Sequence, residues 1–154
     1  MGVEIERKFL VTGDGWRQPP ERQTRFSQGY LSSDAARTVR VRLAGERAFL
    51  TIKGATQGAT RAEFEYAIPP ADALALLKMC DGPVVEKVRH LCEYAGMTWE
   101  VDEFLGANAG LVVAEIELEA EDQPFARPGW LSEEVTGDAR YVNANLAVHP
   151  FTSW

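Results

Sequence analysis

The sequence predicts a mainly β fold: a closed, eight-stranded antiparallel β-barrel with a charged lumen, an apolar outside and a few flanking helices. Three observations lead there. Eight segments read as strands within about 120 residues, which alone leaves a sandwich or a closed barrel open. Nearly every segment sets two charged residues two positions apart, opposite its apolar side chains. The charges are also complementary from strand to strand, so one shared interior would gather both signs.

The elements follow in order. VEIERKFLV, residues 3–11, puts Glu4, Glu6 and Lys8 on one face and Ile5, Arg7, Phe9 and Val11 on the other. After a loop with Gly13, Gly15, Pro19 and Pro20 comes a short strand at 25–31, where Gln28 and Tyr30 share a phase. ARTVRVRLA (36–44) and ERAFLTIKG (46–54) meet at the tight Ala44-Gly45 turn and read as a hairpin. Their charged faces carry Arg40 and Arg42 with Thr38, and Lys53 with Thr51. RAEFEYAIP (61–69) opposes Arg61, Glu63 and Glu65 to Phe64, Tyr66 and Ile68.

Prolines at the start of PPADALALLKMC (69–80) and Gly82-Pro83 as a stop predict a helix. Trp99 and Phe64 are expected to pack on the outer face beneath it. A second hairpin joins 84–94 to 97–105 at Ala95-Gly96, turning Lys87 and Arg89, and Glu100 and Asp102, to the charged side. Residues 111–120 add Glu115 and Glu117. Short helical turns are expected near 121–126 and over 138–147. Arg7, Glu86, Glu103 and His90 fall on the outer phase.

For one strand, alternating charge is ordinarily a solvated face with weak cross-strand ion pairs. For eight strands that explanation weakens, because solvated faces mix in Thr, Ser and Gln. The barrel reading collects seven cations (Lys8, Arg40, Arg42, Lys53, Arg61, Lys87, Arg89) and eight carboxylates (Glu4, Glu6, Glu63, Glu65, Glu100, Asp102, Glu115, Glu117). Such a lumen is costly to desolvate and makes sense only if it binds something. Clustered Arg and Lys suit phosphate oxygens. Clustered Glu and Asp without His or Cys suit Mg²⁺ or Mn²⁺ over zinc. Both together match a metal–polyphosphate complex.

Composition narrows the class. The 154 residues suit one domain spanning 1–154. The net charge of −7 argues against a general nucleic-acid binder, and no long apolar run suggests a membrane span. No signal peptide precedes the first strand. Cys80 and Cys92 form neither a disulfide framework nor a zinc spacing, so the cytoplasm is the expected compartment.

These residues resemble the CYTH proteins, or triphosphate tunnel metalloenzymes. Glu4-Ile5-Glu6-Arg7-Lys8 matches the family's ExExK signature. Gln28–Leu31, Arg40-Val41-Arg42, Thr51–Gly54, Glu63-Phe64-Glu65, Glu86–Arg89, Glu100-Val101-Asp102, Glu115-Ile116-Glu117 and Asp138–Asn143 follow in the family's order. The chain is most similar to short bacterial members. The resemblance implies an eight-stranded tunnel acting on triphosphates with Mg²⁺ or Mn²⁺, most often on inorganic triphosphate. Class IV adenylate cyclase and thiamine triphosphatase are alternatives, and a non-catalytic polyphosphate or nucleotide sensor is an alternative of another kind.

The resemblance further implies that Lys8, Arg40, Arg42, Lys53, Lys87 and Arg89 hold phosphates, with Arg61 beside them. Glu4, Glu6, Glu115 and Glu117 would hold metal, and Glu63 and Asp102 are further candidates. Lys8, Tyr30 and Lys87 are the expected catalytic residues, with Arg140 either touching substrate or capping a helix. The partner expected is a triphosphate-bearing small molecule, and a homodimer is left open. Because the chain stops soon after residue 147, no long C-terminal helix is expected to close the barrel, which leaves one mouth open.

Overall fold

The computed structural model describes residues 2–154. Its strands are β1 (Gly2–Val11), β2 (Gln23–Ser32), β3 (Arg37–Ala44), β4 (Arg47–Gly54), β5 (Thr60–Ile68), β6 (Asp81–Tyr94), β7 (Met97–Phe104), β8 (Val112–Glu117) and β9 (Leu131–Glu134). All pairings are antiparallel, in the order β5-β4-β3-β2-β6-β7-β8-β1, and β1 pairs back onto β5 to close the barrel.

The closure is split along β1. Gly2–Ile5 pair with β5, while Glu6–Leu10 pair on the other side with β8. Past Ile5, β5 has ended, and β9 takes its place beside Phe9 and Val11. β9 is short and polar, which is why no strand is expected there from the sequence. Its hold combines backbone pairing with β1 and a side-chain clasp: Arg7 grips Glu134 in a two-pronged ion pair at 2.6 and 2.8 Å.

The hairpins turn where glycine permits. Gly45 and Gly96 both adopt positive φ, and Ala95 joins Gly96 at φ 49°, so the second turn is a left-handed pair of the kind hairpins favour. The expected helix is present as α1 (Pro70–Leu77), seated on β3 and β4 through Ala73, Leu76 and Leu77 against Val41, Ala48 and Leu50. The 138–147 segment forms a single 3-10 turn, Ala139–Tyr141, and then α2 (Asn143–Val148). Residues 121–126 form a turn without a helix. No helix of the described residues is long and apolar enough to cross a membrane.

The apolar core is displaced from the barrel axis. Phe9, Trp16, Trp99, Val101, Ala114 and Ile116 are buried on the outer wall, beneath Phe125 and Trp130 of the loop that follows β8. Trp99 therefore packs under that loop and not under α1, and Phe64 is 48% exposed, which corrects the expectation for both. The difference arises because the sequence shows which face a ring occupies but not which distant segment covers it.

A further apolar cluster stoppers one end. Tyr30, Val85, Phe104 and Val113 share the inward phase of their strands and receive Ala144, Leu146 and Ala147 of α2. Six helical residues thus cover that end in part, where an open mouth is expected from the shortness of the tail. The rest stays open: a cavity of about 320 Å³ lies between Ser33, Ala35, Thr56, Gly58 and Thr136, and reaches Glu4, Glu6 and Lys8.

Candidate active site

The lumen holds a cavity of about 180 Å³. Of the fifteen charged residues assigned inward by strand phase, fourteen line it, joined by Tyr30 and Thr38 of the barrel and by Val142, Asn143 and Ala144 of the C-terminal segment. Asp102 is the exception. It is buried behind the wall with its two oxygens on Arg89 (2.7 and 2.8 Å) and on Lys87 (2.7 Å). With both oxygens engaged by cations, Asp102 serves in the metal-free protein as an anchor for Lys87 and Arg89, and it stands apart from the Glu4, Glu6 and Glu117 cluster.

Register brings like charges face to face. Glu6 lies opposite Glu117 across β1 and β8, and Glu100 lies opposite Glu115 across β7 and β8. Such pairs destabilise a sheet. Glu4, Glu6 and Glu117 each bring one carboxylate oxygen within 4.8 Å of the others. Burial raises all three. Glu6 is pushed to about 8 by burial and then by Glu115, against the pull of Lys8. Glu117 reaches about 7 by burial and then by Glu100, Glu4 and Glu63. Glu4 is raised by burial, though Lys53 opposes. Three crowded oxygen donors without a histidine or cysteine fit a hard divalent cation, whose charge would relieve their repulsion.

Two ammonium groups border this cluster. Lys53 Nζ contacts both oxygens of Glu4 at 3.0 and 3.1 Å and Glu63 at 3.3 Å. Lys8 Nζ lies 3.4 Å from Glu115 and 3.7 Å from Glu6. Burial would depress Lys8, but Glu115, Glu6 and Glu4 outweigh it and hold the group near 12, firmly charged. Glu115 also takes Arg89 at 3.0 Å; burial works against its charge, yet Lys8 and Arg89 draw it down to about 2.

Guanidiniums without full partners occupy the β3 and β5 side. Arg42 has no carboxylate partner among the described residues; its Nε donates to Gln28 Oε1 at 2.8 Å and its plane lies 4.5 Å over Phe26. Burial, then Arg40 and Arg89, lower it to about 9. Among the described residues, Arg61 bonds only to the Gly54 carbonyl and the Thr38 hydroxyl. Arg40 reaches Thr51 and Glu65 but leaves its buried Nε unbonded. A protein interior pairs such groups wherever it can, so this wall is arranged for an anion supplied from outside.

Tyr30 and Gln28 both face the lumen, with Gln28 Nε2 3.2 Å from the Tyr30 hydroxyl. Arg140 does not reach the cavity: it pairs with Asp138 at 2.8 Å and lies over Tyr141 and Trp154. Its neighbour Asn143 is the residue of that segment that enters the lumen, which no periodicity signals. His90 is outward and buried, held by Gln18 N–H and Glu103.

A closed barrel whose lumen holds both a crowded carboxylate cluster and guanidiniums without full partners fits the class of proteins that bind a polyanion together with a metal ion. The CYTH domain profile matches residues 2–147, and the chain belongs to that family. It is 46% identical to an inorganic triphosphatase of Acetivibrio thermocellus, over all of this chain and 99% of that protein. An inorganic triphosphatase of Nitrosomonas europaea is 36% identical, over 95% of this chain and 97% of its own length. Among solved structures, the inorganic triphosphatase NE1496 superposes with a TM-score of 0.67 at 35% identity, covering 96% of each chain.

Proposed function

We propose that this chain is a metal-dependent triphosphatase that splits inorganic triphosphate into pyrophosphate and phosphate. The carrying observation is one lumen that gathers three glutamates with oxygens within 4.8 Å, together with Arg42 and Arg61, which have no carboxylate partner among the described residues, and Arg40, whose buried Nε is unbonded. The two triphosphatase relatives, similar over nearly the whole chain, support the same reading.

Glu4, Glu6 and Glu117 would hold Mg²⁺ or Mn²⁺, with Glu115 and Glu63 at its margin. When bound, the cation neutralises phosphate charge and lowers the pKa of a coordinated water. The chain's own residues do the rest. Arg40, Arg42 and Arg61 donate to the non-bridging oxygens, and Lys53 and Lys8 stand between carboxylates and phosphates as fixed positive charges. Lys87 and Arg89, locked by Asp102, stabilise charge gathering on the leaving pyrophosphate. The Tyr30 hydroxyl, steadied by Gln28, is placed to orient the water. The water oxygen bonds to a terminal phosphorus as the bridging P–O bond breaks; the electron pair of that bond leaves on pyrophosphate, and the water's proton passes to solvent.

The free Cys80 and Cys92 thiols accord with a reducing cytoplasm. Phosphate release from tripolyphosphate, thiamine triphosphate, ATP and longer polyphosphate, with Mg²⁺ or Mn²⁺, tests the reading. Tripolyphosphate is expected to turn over fastest, and Glu6→Ala and Lys8→Ala to be inactive. Metal-dependent binding without turnover would make the chain a sensor, and cyclic nucleotide from ATP would make it a cyclase.

A further inference from the structure

Asn143 belongs to α2, outside the barrel wall, yet its side chain enters the lumen. Of the three C-terminal residues that line the cavity, Val142, Asn143 and Ala144, it alone is polar. Its Oδ1 accepts two hydrogen bonds, from Lys87 Nζ at 2.9 Å and from Gln28 Nε2 at 3.0 Å. Gln28 in turn accepts from Arg42 Nε at 2.8 Å. The amide therefore sits among the groups assigned to phosphate.

Those two bonds determine which way the amide points. Turned over, Asn143 would press an NH₂ group against an ammonium and a second amide NH₂, donors facing donors. With Oδ1 committed, Nδ2 and its two hydrogens face away from Lys87 and Gln28, and no hydrogen-bond acceptor meets Nδ2 among the described residues. With no protein acceptor and open to the cavity, Nδ2 is available to a ligand in the lumen.

We propose that Asn143 is a substrate-binding residue: its Nδ2 donates to a phosphoryl oxygen in the lumen, on the side of the amide turned away from Lys87 and Gln28. The C-terminal segment thereby completes the binding site as well as stoppering the barrel. The inference rests on the triphosphate reading above, and it adds a neutral donor to a site otherwise made of charges. A neutral donor selects an oxygen by direction, which a crowd of cations does less well.

The rival account is that Asn143 merely fastens α2. Three proteins separate the two: wild type, Asn143→Ala and Leu146→Val, the last loosening α2 through its buried Leu146 without touching the cavity. Steady-state kinetics on tripolyphosphate and thermal melts are measured for each. Asn143→Ala is expected to raise KM about 10-fold to 100-fold, the range for a hydrogen bond to a charged group. Leu146→Val is expected to melt lower while keeping the wild-type KM. In addition, the Asn143 side-chain amide resonances of the metal-free wild type should move downfield on adding tripolyphosphate.

An unchanged KM in Asn143→Ala, an equal rise in Leu146→Val, or amide resonances that stay put would each overturn the proposal. A wild type with no activity and no binding toward any triphosphate would overturn the functional reading itself, and is recognised before any variant is compared.

Discussion

Lys87 Nζ lies 2.7 Å from Asp102 Oδ2, with both side chains almost wholly withdrawn from water. Asp102 also takes Arg89 through its Nε and one terminal nitrogen, so one carboxylate holds two cations of the lumen wall. Lys87 needs that hold. Burial, reinforced by Arg89 and Arg42, lowers it to about 7, with Asp102 as the leading opposing influence. Breaking a buried pair by removing one partner leaves an uncompensated charge, which costs far more than the pair contributes.

Asp102→Ala should accordingly destabilise the protein by about 3–5 kcal/mol, because Lys87 and Arg89 lose their common partner. Urea unfolding followed by tryptophan fluorescence measures it. A midpoint equal to that of wild type would show that the cations find other partners.

The same carboxylate fixes an acid limit. Burial pushes Asp102 upward, but Arg89 and then Lys87 reverse this and hold it well below the usual carboxylate range. A depressed acid contributes stability that is complete above its unfolded pKa, near 3.9, and is lost as pH falls toward the folded value. Below about pH 4 the gap in urea midpoint between wild type and Asp102→Ala should narrow as pH falls. Parallel curves down to pH 2 would contradict the assignment.

Glu6→Gln should separate function from stability. Glu6 faces Glu117 and is raised to about 8, so its charge is a burden on the metal-free fold. We expect the variant to lose activity by about 100-fold or more with its ligand gone. In EDTA at pH 8 its melting temperature should equal or exceed that of wild type. Added Mg²⁺ or Mn²⁺ should raise the wild-type melt and leave the variant nearly unmoved. A variant that melts well below wild type in EDTA would mean that Glu6 is structural.

Arg42→Met keeps much of the contact with Phe26 and removes the unpaired guanidinium. The expected result is a KM for tripolyphosphate raised at least about 10-fold, with thermal stability unchanged or improved, since a buried unpaired charge is removed. Kinetics and calorimetry on one preparation test both halves. Lower stability with unchanged KM would place Arg42 in the scaffold.

The charged lumen was legible because period two is a local property. Glu4, Glu6 and Lys8, or Arg40 and Arg42, declare a shared face within a few residues, and the register then sets those faces around one cavity. Phase could not show depth. Asp102 has the phase of Glu100 but sits behind the wall, because Lys87 and Arg89 close over it from β6. Nor could it show Asn143, whose place depends on α2 reaching an apolar end formed by four separate strands. Sequence pattern gave Trp99 and Phe64 equal claims to a cover, and only the path of residues 121–130 decides that Trp99 receives one.

By itself, then, the order of residues determined eight of the nine strands, the hairpins, the polarity of each face and hence a barrel with a charged inside, since alternation and turn chemistry act over neighbouring positions. The tertiary structure decided which charges neutralise one another and which stay free. That outcome depends on distances across the lumen between strands far apart in the chain, and Coulomb interaction in a partly dry interior changes steeply over those few ångströms. Asp102 spent on Lys87 and Arg89, Arg42 left without a carboxylate, and Glu4, Glu6 and Glu117 forced together are three results of that geometry.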